Sequence, residues 1–127
     1  MKNFICLVLL SVTLSSCYQS ERNCHKFKTG VFEFKTLVNG ELETTQFIRN
    51  DSIEIELYKN KRDTAYIRWV NDCQYILTSK NPKNRSEKKP IQMRILTTKD
   101  NTYKFSYNIV GETKTQEGQV TKISELK

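Results

Sequence analysis

The chain reads as an all-β domain, an antiparallel meander of about eight short strands closing into a small barrel or folding into a sandwich, after a cleaved signal peptide. Three observations predict it. Past residue 26 the apolar residues recur every second position rather than every third or fourth. Turn residues punctuate them at spacings of roughly 8 to 12 residues, the rhythm of small barrels and sandwiches. A short apolar leader ends in Leu14-Ser15-Ser16-Cys17, which sets everything after it apart as the mature domain.

The leader comes first. Lys2 supplies a positive start, Phe4 to Leu14 an apolar run, and two small serines precede a cysteine, the pattern of a lipoprotein signal cleaved before Cys17 and lipidated on it. A membrane-spanning helix needs about 20 apolar residues. This run is shorter and is diluted by Ser11, Thr13, Ser15 and Ser16. Residues 1–16 are therefore expected to leave, residues 17–26 to form a lipidated tether, and residues 27–127 to form a single β domain. The address is the cell envelope, lipid-anchored, at the outer membrane facing the periplasm, with the membrane as partner through the anchor.

About 111 residues remain after cleavage, one domain's worth. The full chain carries 21 Lys and Arg against 14 Asp and Glu, a net +7 that becomes +6 once Lys2 is lost. In a nuclear or cytosolic protein that balance would suggest nucleic acid; an exported lipoprotein meets headgroups and envelope polymers instead, so no nucleic-acid partner is expected. Cys6 leaves with the signal and Cys17 takes the lipid. Cys24 and Cys73 then form an even pair in an oxidising compartment, and a disulfide between them is the natural reading.

The strands follow in order. Val31 to Val38 is rich in β-branched and aromatic residues, and Asn39-Gly40 gives the strongest hairpin signal because both residues accept positive φ. The return strand passes through Phe47 and Ile48, and Asn50-Asp51 turns the chain again. Ile53, Ile55 and Leu57 alternate with Glu54 and Glu56, predicting an apolar face inside and a charged face in water. Lys59 to Asp63 reads as a polar connection into Tyr66 to Val70, with Ile67 and Trp69 on one face. Asn71-Asp72 turns into Cys73 to Thr78, and Asn81-Pro82 opens a long polar loop that closes at Pro90. Ile91 to Thr97 and Tyr103 to Val110 follow, with Tyr103, Phe105, Tyr107 and Ile109 on one face. Gly111 and Gly118 are expected to bracket a last turn before Gln119 to Ile123.

Candidates for chemistry are few. His25 is the only histidine, so a Ser-His-Asp or Cys-His arrangement would rest on the tether, and no catalytic residue is assigned. One His and two bridged cysteines cannot supply a zinc site, and no cofactor or metal is expected. Glu54 and Glu56 sit about 7 Å apart along one strand, a spacing that invites general acid and base chemistry, but their alternation with apolar residues reads as a solvated face. Glu33, Glu41 and Glu43 read as outward hairpin residues. Lys80, Lys83, Arg85, Lys88 and Lys89 form a basic loop, read chiefly as solvated. Phe32, Phe34, Trp69, Tyr103, Phe105 and Tyr107 are the aromatics that would face a ligand if the interior is hollow, because a buried tyrosine hydroxyl needs a partner.

Asp51-Ser52-Ile53 and Asp63-Thr64-Ala65 resemble the Asp-Ser/Thr-aliphatic acceptors of a general bacterial O-glycosylation system. That resemblance marks Ser52 and Thr64, both at predicted turns, as possible glycan acceptors. From the lipobox through Asn71-Asp72-Cys73 to Gly118, the chain resembles a group of short, uncharacterised bacterial lipoproteins of this length. Some of these carry a name mentioning DNA topoisomerase IV. The residues do not support that activity: a strand-passage enzyme is many times longer and works on the other side of the membrane. In strand count the chain is similar to lipocalin-like barrel lipoproteins, though it has no Gly-x-Trp motif near its first strand. Lysozyme-inhibitor lipoproteins are small disulfide-bearing barrels too, but +6 is the wrong sign for a basic target.

The functional expectation is a membrane-anchored, non-catalytic interaction or accessory module recognising an envelope protein. Its alternative is a lipocalin-like binder of a small apolar ligand. An envelope hydrolase ranks last. Interior volume separates the first two, since a fully packed barrel would exclude the binder.

Overall fold

The computed structural model describes residues 22–127; the signal peptide, Cys17 and residues 18–21 lie outside the described residues. Eight antiparallel strands close into a barrel in chain order: β1 (Gly30–Val38), β2 (Glu41–Arg49), β3 (Ile53–Tyr58), β4 (Lys61–Asn71), β5 (Gln74–Ser79), β6 (Ile91–Lys99), β7 (Thr102–Ile109) and β8 (Gln116–Ser124). Each strand pairs with its sequence neighbours, and β1 pairs with β8 to close the ring. Closure removes the open edges that a sheet of this length would otherwise present.

The turns have physical causes. Asn39 and Gly40 both take positive φ, 53° and 82°, as a two-residue hairpin requires. Lys59 and Asn60 do the same at 44° and 63°. That tight turn places the polar run Lys61 to Asp63 inside β4 rather than in a connection. At Asn50 the side-chain oxygen accepts hydrogen bonds from the amides of Ser52 and Ile53, both 2.9 Å, which fixes the β2–β3 turn. Asn71 accepts from the Cys73 amide at 2.9 Å in the β4–β5 turn. Gly118 is no turn residue: it lies within β8 opposite Phe105, and a Cβ there would meet that ring at 2.7 Å. The position is glycine because an aromatic ring occupies its side-chain space.

One end of the barrel is closed. A short 3-10 helix, Cys24–Phe27, precedes β1 and buries Phe27 completely beneath the strands. The expected disulfide joins Cys24 to Cys73 at a Cα separation of 5.2 Å. Around it the Asn23 amide bonds Thr98 Oγ1 at 2.8 Å, Lys26 Nζ bonds the Asp100 carbonyl at 2.8 Å, and Lys28 pairs with Asp72 at 2.9 Å. The segment read as a tether is therefore docked from Asn23 onward. In a meander the connections alternate between ends. The basic 80–90 loop thus sits at the opposite, open end with the β1–β2, β3–β4 and β7–β8 connections.

Register decides which face looks inward. Phe32 opposes Phe47, Ile67 opposes Leu77, Trp69 opposes Tyr75, and Tyr103 opposes Val120, all on the inner face. On β3 the expectation is overturned: Glu54 opposes Arg49 and Glu56 opposes Phe47, so the carboxylates look into the barrel. Ile53, Ile55 and Leu57 look out, where Ile55 meets Ile48 and Ile53 meets Tyr66. Alternation identifies which residues share a face and is silent on which face is inside. Glu43 also shares the inward column of Phe47 and Arg49, four and six residues away, and pairs with Lys59 at 3.4 Å, whereas Glu33 faces outward as expected.

Candidate functional site

The barrel interior has a packed half and a hollow half. In the packed half, against the 3-10 helix, lies Arg49, with no solvent exposure. Its Nε donates to Glu54 Oε2 at 3.0 Å, Nη1 to the Phe27 carbonyl at 2.7 Å, and Nη2 to the hydroxyls of Tyr75 and Tyr103 at 2.7 and 3.1 Å. The rings of Phe32 and Tyr75 stand 4.7 Å from the guanidinium carbon and that of Phe47 5.2 Å, within cation–π range. Burial works against the charge. The oxygens of Tyr103, Tyr75 and Glu54 outweigh it and hold the guanidinium above its ordinary range, so Arg49 is a permanent cation. Tyr75 is pushed well above the usual phenol range, chiefly by burial, with Arg49 opposing, and Tyr103 is raised for the same reasons. Both stay protonated donors and acceptors. The partner that their hydroxyls needed is Arg49.

Above this floor the barrel holds a cavity of about 360 Å³. Arg49, Tyr75 and Tyr103 form its base; Phe34, Phe105, Tyr107, Leu77, Ile91 and Met93 form an apolar wall; Glu54 and Glu56 stand on the other side. A second space of about 370 Å³ shares Glu54, Glu56, Leu77 and Ile91 with the first and reaches Asp63, Ser79 and the rim loop at Glu87 and Lys89. These volumes fall within the range of small-molecule sites. Phe34 to Thr36 on β1 and Glu117 to Val120 on β8 line the first space together. The β1–β8 ladder stops after three residue pairs, at Glu33–Thr121, just short of these residues.

Glu56 and Asp63 oppose each other across β3 and β4. The Glu56 carboxyl is raised above its usual range by partial loss of water, then by the charges of Glu54 and Asp63. Neither Glu56 nor Asp63 has an ion pair among the described residues, while Glu54 is engaged by Arg49.

The sequence-predicted aromatics divide between the two halves. Phe34, Tyr103, Phe105 and Tyr107 line the cavity. Phe32 and Trp69 face inward but lie against Arg49 and Tyr75 in the packed half, because their strands carry them toward the closed end. Arg49, Asp63 and Met93 were not legible as site residues, and Glu54 and Glu56, noticed for their spacing, were read as a solvated face; for Arg49 the available signal was its two-residue spacing from Phe47 just before the Asn50-Asp51 turn. Ser52 is exposed in its turn, as expected, whereas Thr64 lies within β4 opposite Ile55, not at a turn. The tight Lys59-Asn60 hairpin is the reason.

Compared with protein-family models, with curated proteins and with solved structures, the chain matches none.

Proposed function

We propose that the protein is a lipid-anchored envelope barrel that binds a small molecule in its open half, without catalysis. The observation carrying this reading is the cavity of about 360 Å³ with an apolar wall and a few convergent polar groups, the usual composition of a ligand site. Glu54 is fixed through Oε2 by the Arg49 guanidinium at 3.0 Å, which gives this wall a structural role and supports binding over hydrolysis. Anchoring fits the geometry: residue 22 enters at the closed end, so a lipid on Cys17 would turn the mouth away from the membrane. The ligand is that of the alternative expectation, the small apolar molecule of a lipocalin-like binder, with the addition that it must tolerate the carboxylates of Glu54 and Glu56.

Nile red titration tests the reading. The protein should take up the neutral dye with a blue-shifted, saturable emission, and Met93→Trp, which fills the cavity, should abolish uptake while leaving the far-UV spectrum intact. Equal uptake by both proteins would refute a cavity site. For the anchor, Cys17→Ser should move the protein from the membrane fraction to the soluble envelope fraction of a bacterial host.

A second reading, the interaction module, is favoured by the β1–β2 hairpin. Leu37 and Leu42 oppose each other on its outer face and are 72% and 62% exposed at the mouth. Photo-crosslinkers at these two positions should capture one defined envelope protein in cells if the hairpin is a docking element.

A further inference from the structure

We propose that the ligand of this cavity is an organic cation, an amine carried on an apolar body, with the body against Phe34, Phe105, Tyr107 and Met93 and the ammonium between Glu56 and Asp63. This rests on the reading of the cavity as a ligand site. The cavity's shape and apolar wall call for a hydrocarbon or aromatic body of modest size.

Charge distribution supplies the rest. The chain as a whole is basic, 21 against 14, yet the two joined spaces are lined by five acidic residues (Glu54, Glu56, Asp63, Glu87, Glu117) and three basic ones (Lys35, Arg49, Lys89). Glu117 lies on the outer face of β8 opposite Ser106, and the Glu87 carboxylate accepts from the Lys83 amide at 2.7 Å, so the inward acids are Glu54, Glu56 and Asp63. Of the basic residues, Arg49 is spent on Glu54 and Lys89 pairs with Glu112 at 3.4 Å, while Lys35 lies on the outer face of β1 beside Glu33 at 3.9 Å. Glu56 and Asp63, both solvent-exposed, therefore face the second of the joined spaces with no ion pair among the described residues. Two neighbouring carboxylates attract an ammonium directly, and the aromatic residues of the adjoining space offer it cation–π contact. A carboxylate ligand would meet like charge instead.

A metal ion is the other cation to consider. Among the described residues no group of three or more His, Cys, Asp or Glu is arranged to hold one. The apolar wall would also be idle against a bare ion.

The test uses three probes with one body: phenylbutylamine, phenylbutanol and phenylbutyrate, each competing with Nile red and titrated by calorimetry at about pH 7. The amine should bind about tenfold more tightly than the alcohol, and the acid most weakly. In the Glu56→Gln/Asp63→Asn double variant the amine should lose that advantage while the alcohol is unchanged. An alcohol or acid that matches or exceeds the amine would overturn the cation assignment and leave the cavity reading standing. If no probe and no dye binds, the cavity reading itself falls. If the double variant fails to fold by circular dichroism, Glu56→Gln alone and the salt dependence of amine binding in the unaltered protein decide the question, since ion pairing weakens as salt screens it.

Discussion

Arg49 and Glu54 stand opposite each other across the β2–β3 hairpin, five residues apart in sequence, and meet inside the barrel at 3.0 Å. The pair divides the interior: below it side chains are packed, above it the barrel is hollow. Replacing Arg49 by Met removes the partner of a carboxylate, two buried hydroxyls and the Phe27 carbonyl at once. Arg49→Met is expected to cost about 3–5 kcal/mol, as loss of one member of a buried ion pair does. Glu54→Gln should cost less, because the guanidinium keeps its hydroxyl, carbonyl and π contacts. Urea unfolding of the two variants checks the order.

Glu56 gives a pH dependence with a definite sign. Its folded pKa lies above the unfolded value of roughly 4.3, so the folded state binds more protons over the interval between them. Its contribution therefore favours folding increasingly as pH falls through that interval and is flat below it. Glu56→Gln should accordingly be more stable than the parent near neutral pH, with the difference vanishing as the medium is acidified below the usual carboxylate range. Melting temperatures of both proteins across pH measure it.

Gly118 and Phe105 are coupled through space. Gly118→Ala introduces a methyl where the Phe105 ring stands, and the forced shift should cost about 1–3 kcal/mol. In the background of Phe105→Leu the same glycine change should cost distinctly less. A double-mutant cycle in denaturant reads the coupling directly.

The Cys24–Cys73 bridge spans 49 residues, and closing such a loop is worth about 4 kcal/mol on a chain-entropy account. Removing it by the Cys24→Ser/Cys73→Ser pair should lower stability by up to that amount. Amide exchange should rise first at Asn23 to Lys28, which would then be held by the contacts of Asn23, Lys26 and Lys28 and by Arg49 and Lys122 at its carbonyls.

Strand number, meander order and the disulfide were legible because they depend on local alternation, turn residues and cysteine parity. The inner face of β3 was not. Ile53, Ile55 and Leu57 are more apolar than Glu54 and Glu56, and only pairing with Arg49 and Phe47 reverses the choice. The burial of Arg49 depends on two tyrosines, Tyr75 and Tyr103, from strands far along the chain. The β3–β4 turn at Lys59-Asn60 was hidden because a lysine with positive φ is uncommon, and Gly118 read as a turn because the ring that requires it, Phe105, lies on another strand. Of the cavity, the aromatic wall was visible as the Tyr103, Phe105, Tyr107 alternation, and the acidic wall was masked by the β3 inversion.

The ladder order has a kinetic consequence. Seven of the eight strand pairings join neighbours in sequence and can zip from local hairpins, whereas β1 with β8 must bridge almost the whole chain through only three residue pairs. Closing a long loop is slow relative to hairpin formation. The β1–β8 seam is thus expected to form after the local hairpins, and beyond its three pairs Phe34–Thr36 and Glu117–Val120 border the hollow half with no ladder between them.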